Sequence, residues 1–114
     1  MSEFITLTEA VTMTRDFRTN KEAILGAGYQ NQDLLLINET FDKSQVLSML
    51  GNSGCESFRV YFGMDSGKKI HTLLVGVDSE GKDILPEDDE AGNFILERAD
   101  RNPPNNTPSS LLNP

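Results

Sequence analysis

The sequence predicts an α+β fold, on three observations. A capped segment with apolar residues at helical spacing opens the chain, two β-rich runs joined by a turn occupy its middle, and the length of 114 residues suits one domain. We expect two or three N-terminal helices packed on a small antiparallel sheet, which is built around a β-hairpin at about residues 57–77. The predicted organisation is a single α+β domain at residues 1–99, followed by an extended Pro/Asn/Ser-rich tail at 100–114.

The first helix begins at a capping box. The Thr6 hydroxyl can accept a hydrogen bond from the amide of Glu9, whose carboxylate can reach back to the start of the helix. Apolar residues then follow at helical spacing, namely Ala10, Met13 and Phe17. A second capping box at 19–22 predicts a short helix through Leu25, which the glycines at 26–28 end. A single kinked helix over both segments is the open alternative.

Two further segments lie before the hairpin. Residues 34–37 are consecutive apolar residues that fit either a buried strand or part of a helix, and we favour a strand. Residues 42–45 are typical of a helix start, and Gly51-Asn52 of a helix end. Between them lies an apolar face made of Val46, Leu47, Met49 and Leu50.

The hairpin is the best-defined feature of the sequence. Residues 58–62 form a β-rich run, followed by turn residues at 64–68 and a second β-rich run at 70–77. Alternation along the first run places three apolar residues on one face, namely Phe58, Val60 and Phe62. An antiparallel pair of strands is therefore expected at the centre of the sheet.

Shorter elements are expected after the hairpin. A turn at 78–82 leads into Ile84-Leu85, which would add a short strand, and residues 93–97 predict a last one. Residues 86–90 are typical of an acidic turn or loop. From Asp100 onward, repeated prolines with Asn and Ser predict no regular structure.

Charge and composition exclude several classes of function. The net charge of −8, from 18 acidic against 10 basic residues, repels nucleic-acid phosphates and anionic membrane surfaces. The longest apolar run, at 34–37, is far shorter than the roughly 20 residues that span a bilayer. The N-terminal residues lack the basic and apolar parts of a secretory signal, and the lone Cys55 argues against a disulfide-stapled secreted domain. We therefore expect a cytoplasmic protein.

Three groups of residues carry possible chemistry, and each has a simpler structural explanation. The glycines at 26–28 lack the third glycine and the preceding strand of a dinucleotide site. The acidic residues within 78–83 do not have the spacing of an EF-hand loop, and predict a charged turn. Cys55 and His71 could form a thiolate–imidazole pair, but no third orienting group is evident, and they are too few for zinc. We therefore predict no catalytic residue, no metal site and no cofactor.

The most specific candidate site comprises Arg59, Tyr61 and His71. Alternation places Arg59 and Tyr61 on the face opposite the apolar one. If the hairpin closes around Ser66 and Gly67, His71 falls nearly opposite Tyr61, at a cross-strand distance of about 5 Å. An Arg fork beside a phenol and an imidazole suits a carboxylate or phosphate group. The simpler interpretation is that the Arg59 side chain extends over the sheet to an acidic side chain on the neighbouring helix.

The stretch from Phe41 to Asp83 resembles a group of small, domain-sized, uncharacterised bacterial proteins. The motifs that carry this resemblance are Phe41-Asp42-Lys43, Gly54-Cys55, an Arg-x-Tyr strand at 59–63 that ends in glycine, and Val-Gly-Val-Asp at 75–78 before a glycine turn. A Pro/Asn-containing tail is also shared. The resemblance implies that Arg59, Tyr61, Gly63 and Gly76 belong to one hairpin. The group has no established activity, so no catalytic role follows, and its frequent tail cysteines are missing here.

Our leading interpretation is a non-enzymatic protein-interaction module that self-assembles or binds a protein partner through its acidic surface and its tail. An inhibitor of a basic toxin is one concrete form, since small acidic domains can block basic sites. The tail residues expected to contact a partner are Pro103, Pro104, Leu111 and Leu112. The alternative is a binding domain for a small anionic ligand at Arg59, Tyr61 and His71. A hydrolase or transferase ranks third, because no set of nucleophile, base and orienting group can be named.

Overall fold

The computed structural model describes residues 2–88 and 92–114 and confirms an α+β fold. In chain order the elements are α1 (Leu7–Asn20), a 3-10 turn (Ala27–Tyr29), β1 (Asn38–Thr40), α2 (Lys43–Leu50), β2 (Ser57–Met64), β3 (Ile70–Val77), β4 (Ile95–Leu96) and β5 (Asp100–Asn102). β1 pairs with β5, and β2, β3 and β4 form a three-stranded sheet. The chain divides into two compact units. The N-terminal unit contains the residues up to Asn38 together with Arg101–Pro114, and the sheet unit is Glu39–Asp100.

Helix α1 begins where its local signal predicts. Thr6 has an extended backbone, and its side-chain oxygen accepts a hydrogen bond from the amide of Glu9 at 3.1 Å. Arg18 lies in the last turn, where positive charge suits the helix dipole. Neither α1 nor any other helix in residues 2–88 and 92–114 is long and apolar enough to cross a membrane.

The chain after Asn20 forms turns, and the predicted second helix does not form. Residues 21–24 are in turn conformation. The carboxylate of Glu22 accepts hydrogen bonds from Lys21 Nζ at 2.9 Å and from the backbone amide of Asn31. Because these contacts hold Glu22, it does not reach back as the second capping box requires. The prediction at this segment is wrong because the amide of Asn31, nine residues away, binds the Glu22 carboxylate in place of the amide at the predicted helix start.

Residues 34–37 are irregular, so the predicted strand is also wrong. Leu34 is buried, with 5% of its surface exposed. The Leu35 carbonyl accepts from Lys21 Nζ at 3.1 Å, a side-chain partner instead of a neighbouring strand. An apolar run indicates burial but does not by itself specify a backbone conformation.

The hairpin forms in the sheet unit and carries its core. Ser57 lies opposite Val77 and Met64 opposite Ile70, which confirms the antiparallel pair. β4 pairs with the other side of β3, and α2 packs against both β3 and β4. Among the described residues of this unit, the buried apolar side chains are those of Met49, Leu74, Val75 and Val77. β3 is therefore the central strand, and β2 lies at the edge of the sheet.

The short elements after the hairpin differ from prediction. Ile84-Leu85 does not form a strand, since only an isolated bridge between Asp83 and Val77 and a 2.8 Å bond from the Ile84 amide to the Gly76 carbonyl connect this segment to β3. The strand predicted at 93–97 is present, but it is limited to β4. Two-residue contacts of this kind are too short to leave a period-2 signal in the sequence.

The C-terminal segment contains regular structure, although its composition predicts none. β5 occupies Asp100–Asn102, and Ser110 and Asn113 form an isolated bridge. Thr107 Oγ1 donates to Asn38 Oδ1 at 3.1 Å within the N-terminal unit. Long-range partners therefore hold a segment that lacks local preference. The acidic loop predicted at 86–90 falls partly outside the described residues, which do not include 89 and 90.

Candidate functional site: the free edge of β2

Strand β2 has one unpaired side. The strand order of its sheet is β2-β3-β4, and no other strand in the described part of the chain pairs with β2. Two contacts near the ends of the pair show which residues of β2 direct their backbone groups toward β3. The Asp65 amide donates to the Lys69 carbonyl at 3.1 Å, whereas the Gly76 carbonyl, opposite Phe58, accepts from Ile84 on the far side of β3. Since bonding alternates along an antiparallel pair, the even-numbered residues of β2 direct their backbone groups away from β3.

The same even-numbered residues carry an exposed apolar row. We define the apolar row as Phe58, Val60, Phe62 and Met64, with exposed fractions of 50%, 44%, 77% and 62%. They share one face of the sheet because residues two apart on a strand point the same way. The sequence predicted the common face of the first three residues, and the register confirms it. That this face is exposed was not readable from the sequence, since an apolar alternation usually marks a core-facing side.

On the opposite face, Arg59 and Tyr61 converge on Asp83. Arg59 Nη1 lies 2.6 Å from Asp83 Oδ1, Arg59 Nη2 donates to the Gly81 carbonyl at 3.2 Å, and the Tyr61 hydroxyl donates to Asp83 Oδ2. The hydrogen bond from Tyr61 lowers the pKa of Asp83, and Arg59 lowers it further against the opposing effect of desolvation. The hydrogen bond to Asp83 raises the pKa of Arg59 in turn. Arg59 thus pairs with an acidic side chain of its own chain, but Asp83 follows the turn after β3 and does not lie on a helix as predicted. This carboxylate lies where the predicted anionic ligand would bind.

His71 shares this face but has different partners. It lies opposite Gly63, while Leu73 lies opposite Tyr61, so His71 is one residue further along the strand from Tyr61 than the predicted turn would place it. His71 Nε2 is 2.9 Å from Asp65 Oδ2, and Nδ1 is 2.8 Å from Glu97 Oε1. The structure therefore brings Arg59 and Tyr61 together at one carboxylate and places His71 between two others.

The turn explains this register. Asp65 Oδ1 accepts from the amides of Gly67 and Lys69, at 2.9 and 3.0 Å, and Lys68 has a φ of 67°. The turn is therefore centred on Gly67, half a residue beyond the predicted centre between Ser66 and Gly67. The hydrogen bond to His71 lowers the pKa of Asp65, and the bonds from the two backbone amides add to this effect.

Sequence reasoning did not find the acidic partners of this face. The sequence pattern predicts Asp83 as part of a charged turn, Asp65 as a turn residue and Glu97 as part of a strand. The one available signal was the short separation of Asp65 from His71 across a predicted turn. The contacts of Arg59 with Asp83 and of His71 with Glu97 depend on strand packing and have no local signature.

Cys55 and His71 do not meet. Cys55 Sγ donates to the Ser57 carbonyl at 3.2 Å and packs against Gly76, where an added Cβ would lie 3.0 Å from the sulfur. Gly76 and His71 are five residue steps apart on β3, a distance of about 16 Å along the strand. Within residues 2–88 and 92–114, no group of three or more His, Cys, Asp or Glu side chains is placed to hold a metal ion.

The tail residues lie in the N-terminal unit, and one contact links them to α1. Arg18 Nη1 donates to the Leu112 carbonyl at 2.7 Å. The Leu111 and Leu112 side chains stay 65% and 39% exposed, while Pro103 is half-buried and Pro104 exposed. The tail backbone therefore contacts its own chain, and the Leu111 side chain points largely to solvent.

No known protein family, curated protein or solved structure matches this chain. The resemblance of residues 41–83 to small bacterial proteins stays a prediction.

Proposed function

We propose that this chain is a non-enzymatic protein-interaction module whose docking surface is the free edge of β2 with its apolar row. The observation that supports this most is the combination of an unpaired eight-residue strand edge with four exposed apolar side chains on one face. Edge strands normally carry Lys, Pro, bulges or a covering element that blocks further pairing. β2 contains no Pro or Lys, and its one charged side chain, Arg59, is bound to Asp83.

Strand addition is the binding mode that suits this surface. An incoming extended segment would satisfy the outward backbone groups and place its own side chains beside the apolar row. Complete burial of these four partly exposed side chains contributes on the order of 5 kcal/mol, at about 1.5–3 kcal/mol for each fully buried side chain, and a neighbouring strand supplies a fraction of this. Association costs at least about 4 kcal/mol, which offsets most of the free energy gained by burial. The net binding free energy must therefore come mainly from backbone hydrogen bonds, and we expect moderate affinity.

The acidic surface and the tail contribute secondary contacts in this proposal. The net charge of −8 favours partners with basic surroundings. In the tail, Leu111 is more exposed than Leu112 and is the first leucine expected to touch a partner; the other tail candidates are Pro103 and Pro104. The lone Cys55 supports a cytoplasmic location. No reaction is proposed, because Cys55 packs against Gly76, at the opposite end of β3 from His71.

The test compares two lysine variants that change charge identically. Phe62→Lys alters a side chain that is 77% exposed on β2, and Ile24→Lys alters one that is 72% exposed in the N-terminal unit. Both should keep the circular dichroism spectrum and melting temperature of the wild type, since neither residue is buried. The wild-type chain and Ile24→Lys should retain a stoichiometric protein, either another protein or a second copy, from an extract of the source cells, and Phe62→Lys should lose it. Equal capture by both variants, or by neither the wild type nor the variants, would contradict the proposal.

A binding domain for a small anionic ligand at Arg59, Tyr61 and His71 is the second candidate. It is supported by the way in which Arg59 and Tyr61 together donate to one carboxylate. In this proposal a ligand carboxylate or phosphate displaces Asp83. It ranks second because the internal carboxylate competes for the same donors, and because His71 is engaged by Asp65 and Glu97.

A further inference from the structure

We propose that the partner of β2 is the β2 strand of a second copy of this chain, paired antiparallel about a two-fold axis at Tyr61. This inference rests on the proposed function and names its partner. The result is a continuous six-stranded sheet in which two edges become central. A two-fold axis perpendicular to the sheet keeps each face on its own side, so the two apolar rows become one surface.

The register between the two β2 strands follows from which residues of β2 direct their backbone groups outward. The outward residues of β2 are even-numbered, and pairing about Tyr61 places Phe58 opposite Met64 of the second copy and Val60 opposite Phe62 of the second copy. Every outward amide and carbonyl from Phe58 to Met64 then has a partner. A two-fold axis at Val60 instead pairs Phe58 with Phe62 and leaves the Met64 backbone groups unpaired. The axis at Tyr61 is therefore favoured.

The side chains of β2 are compatible with their own copies in this register. Aromatic against β-branched and aromatic against methionine are favourable cross-strand pairs, as Val60 with Phe62 and Phe58 with Met64 would be. On the other face, Arg59 falls opposite Gly63, which presents no side chain, and the two Tyr61 rings meet at the axis. β2 carries no acidic residue, and Arg59 is already neutralised by Asp83. No like-charged pair is therefore brought face to face.

Charge also distinguishes a second copy from other partners. Two chains of −8 repel each other at long range, and salt screens this repulsion within about 8 Å at physiological ionic strength. Self-association should therefore strengthen as salt rises, whereas binding of a basic partner should weaken.

The available area limits the affinity. The exposed side chains of β2 present about 500 Å² per copy, mostly from its aromatic residues at 45–77% exposure. Edge pairing covers only the flanks of these side chains, because such pairing leaves both faces of the sheet open, so the total buried area stays below about 1,000 Å², the lower limit for a specific interface. We therefore expect a concentration-dependent monomer–dimer equilibrium in the micromolar range, rather than an obligate dimer.

Sedimentation equilibrium of the purified full-length chain tests the partner. The wild type and Ile24→Lys should dimerise between about 5 and 500 μM, with a dissociation constant that falls at least about threefold from low to high salt. Phe62→Lys should raise the constant more than about tenfold, because each copy contributes the lysine to the paired edge. A wild type that stays monomeric throughout, or a dimer that Phe62→Lys leaves intact, overturns the inference. In the monomeric case the interaction module itself stands if the wild type still captures a different protein and Phe62→Lys does not.

Cysteine cross-linking tests the register. In a Cys55→Ser background, Tyr61→Cys should oxidise to a covalent dimer, because a non-hydrogen-bonded pair at the axis has Cα atoms about 4.5 Å apart, within disulfide range. Val60→Cys should cross-link at least about tenfold more slowly, because its own copy lies diagonally, about 7–8 Å away. The reverse order of rates, or no cross-link from a dimeric Tyr61→Cys variant, overturns the proposed register.

Discussion

Truncation of Met49 tests whether α2 holds the sheet that carries the β2 edge. The Met49 residue is 1% exposed and is the largest fully buried side chain. Replacing a buried Met with Ala costs about 2–5 kcal/mol, and we expect about 3 kcal/mol here. The other buried apolar side chains in the described part of this unit are those of Leu74, Val75 and Val77, so few neighbours can move to fill the cavity. A loss of this size is a large fraction of the roughly 5–15 kcal/mol that stabilises a typical protein.

Urea unfolding measures the loss. With a slope of about 2 kcal/mol per molar urea, Met49→Ala should lower the midpoint by about 1.5 M. Leu47→Ala is the matched control, because Leu47 lies on the same helix but is 56% exposed, and it should cost less than about 1 kcal/mol. Amide hydrogen exchange should show faster opening of β3 in Met49→Ala only. Equal losses in the two variants would refute the packing of α2 on the sheet.

Two further predictions concern the charged face of the hairpin. The pKa of Asp65 is lowered by its hydrogen bond with His71, so the stability it contributes is present above its unfolded pKa of about 3.9 and is lost as pH falls through the lower folded value. The difference in urea midpoint between the wild type and Asp65→Asn should therefore shrink from about pH 5 downward, and a constant difference to about pH 2 would contradict this. If the second candidate function holds, Asp83→Asn frees Arg59 and should raise the affinity for inorganic phosphate at least about threefold by calorimetry, while Asp16→Asn should not. No gain in Asp83→Asn would remove that candidate.

The elements that the sequence predicted correctly are those that depend on neighbouring residues. The cap of α1 is a contact between Thr6 and Glu9, three residues apart, and it forms as predicted. The alternation that places Arg59, Tyr61 and His71 on one face of the hairpin is a property of extended backbone, and the register confirms it. The capping box at 19–22 shows the limit of local signals, because Asn31 binds the carboxylate of Glu22 instead.

By itself, the sequence determined the α+β class, the hairpin at about residues 57–77, the start of α1 and the two faces of β2. Hydrogen bonds over three or four residues and the two-residue period of a strand establish these features, so a short window of sequence contains them. Only the tertiary structure decided that β2 lies at an edge with its apolar row exposed. It also decided that Asp83 binds Arg59 and that Asp65 and Glu97 bind His71. Which strand becomes central depends on the free energy of non-local packing around Met49 and β3, and residues distant in sequence determine it together.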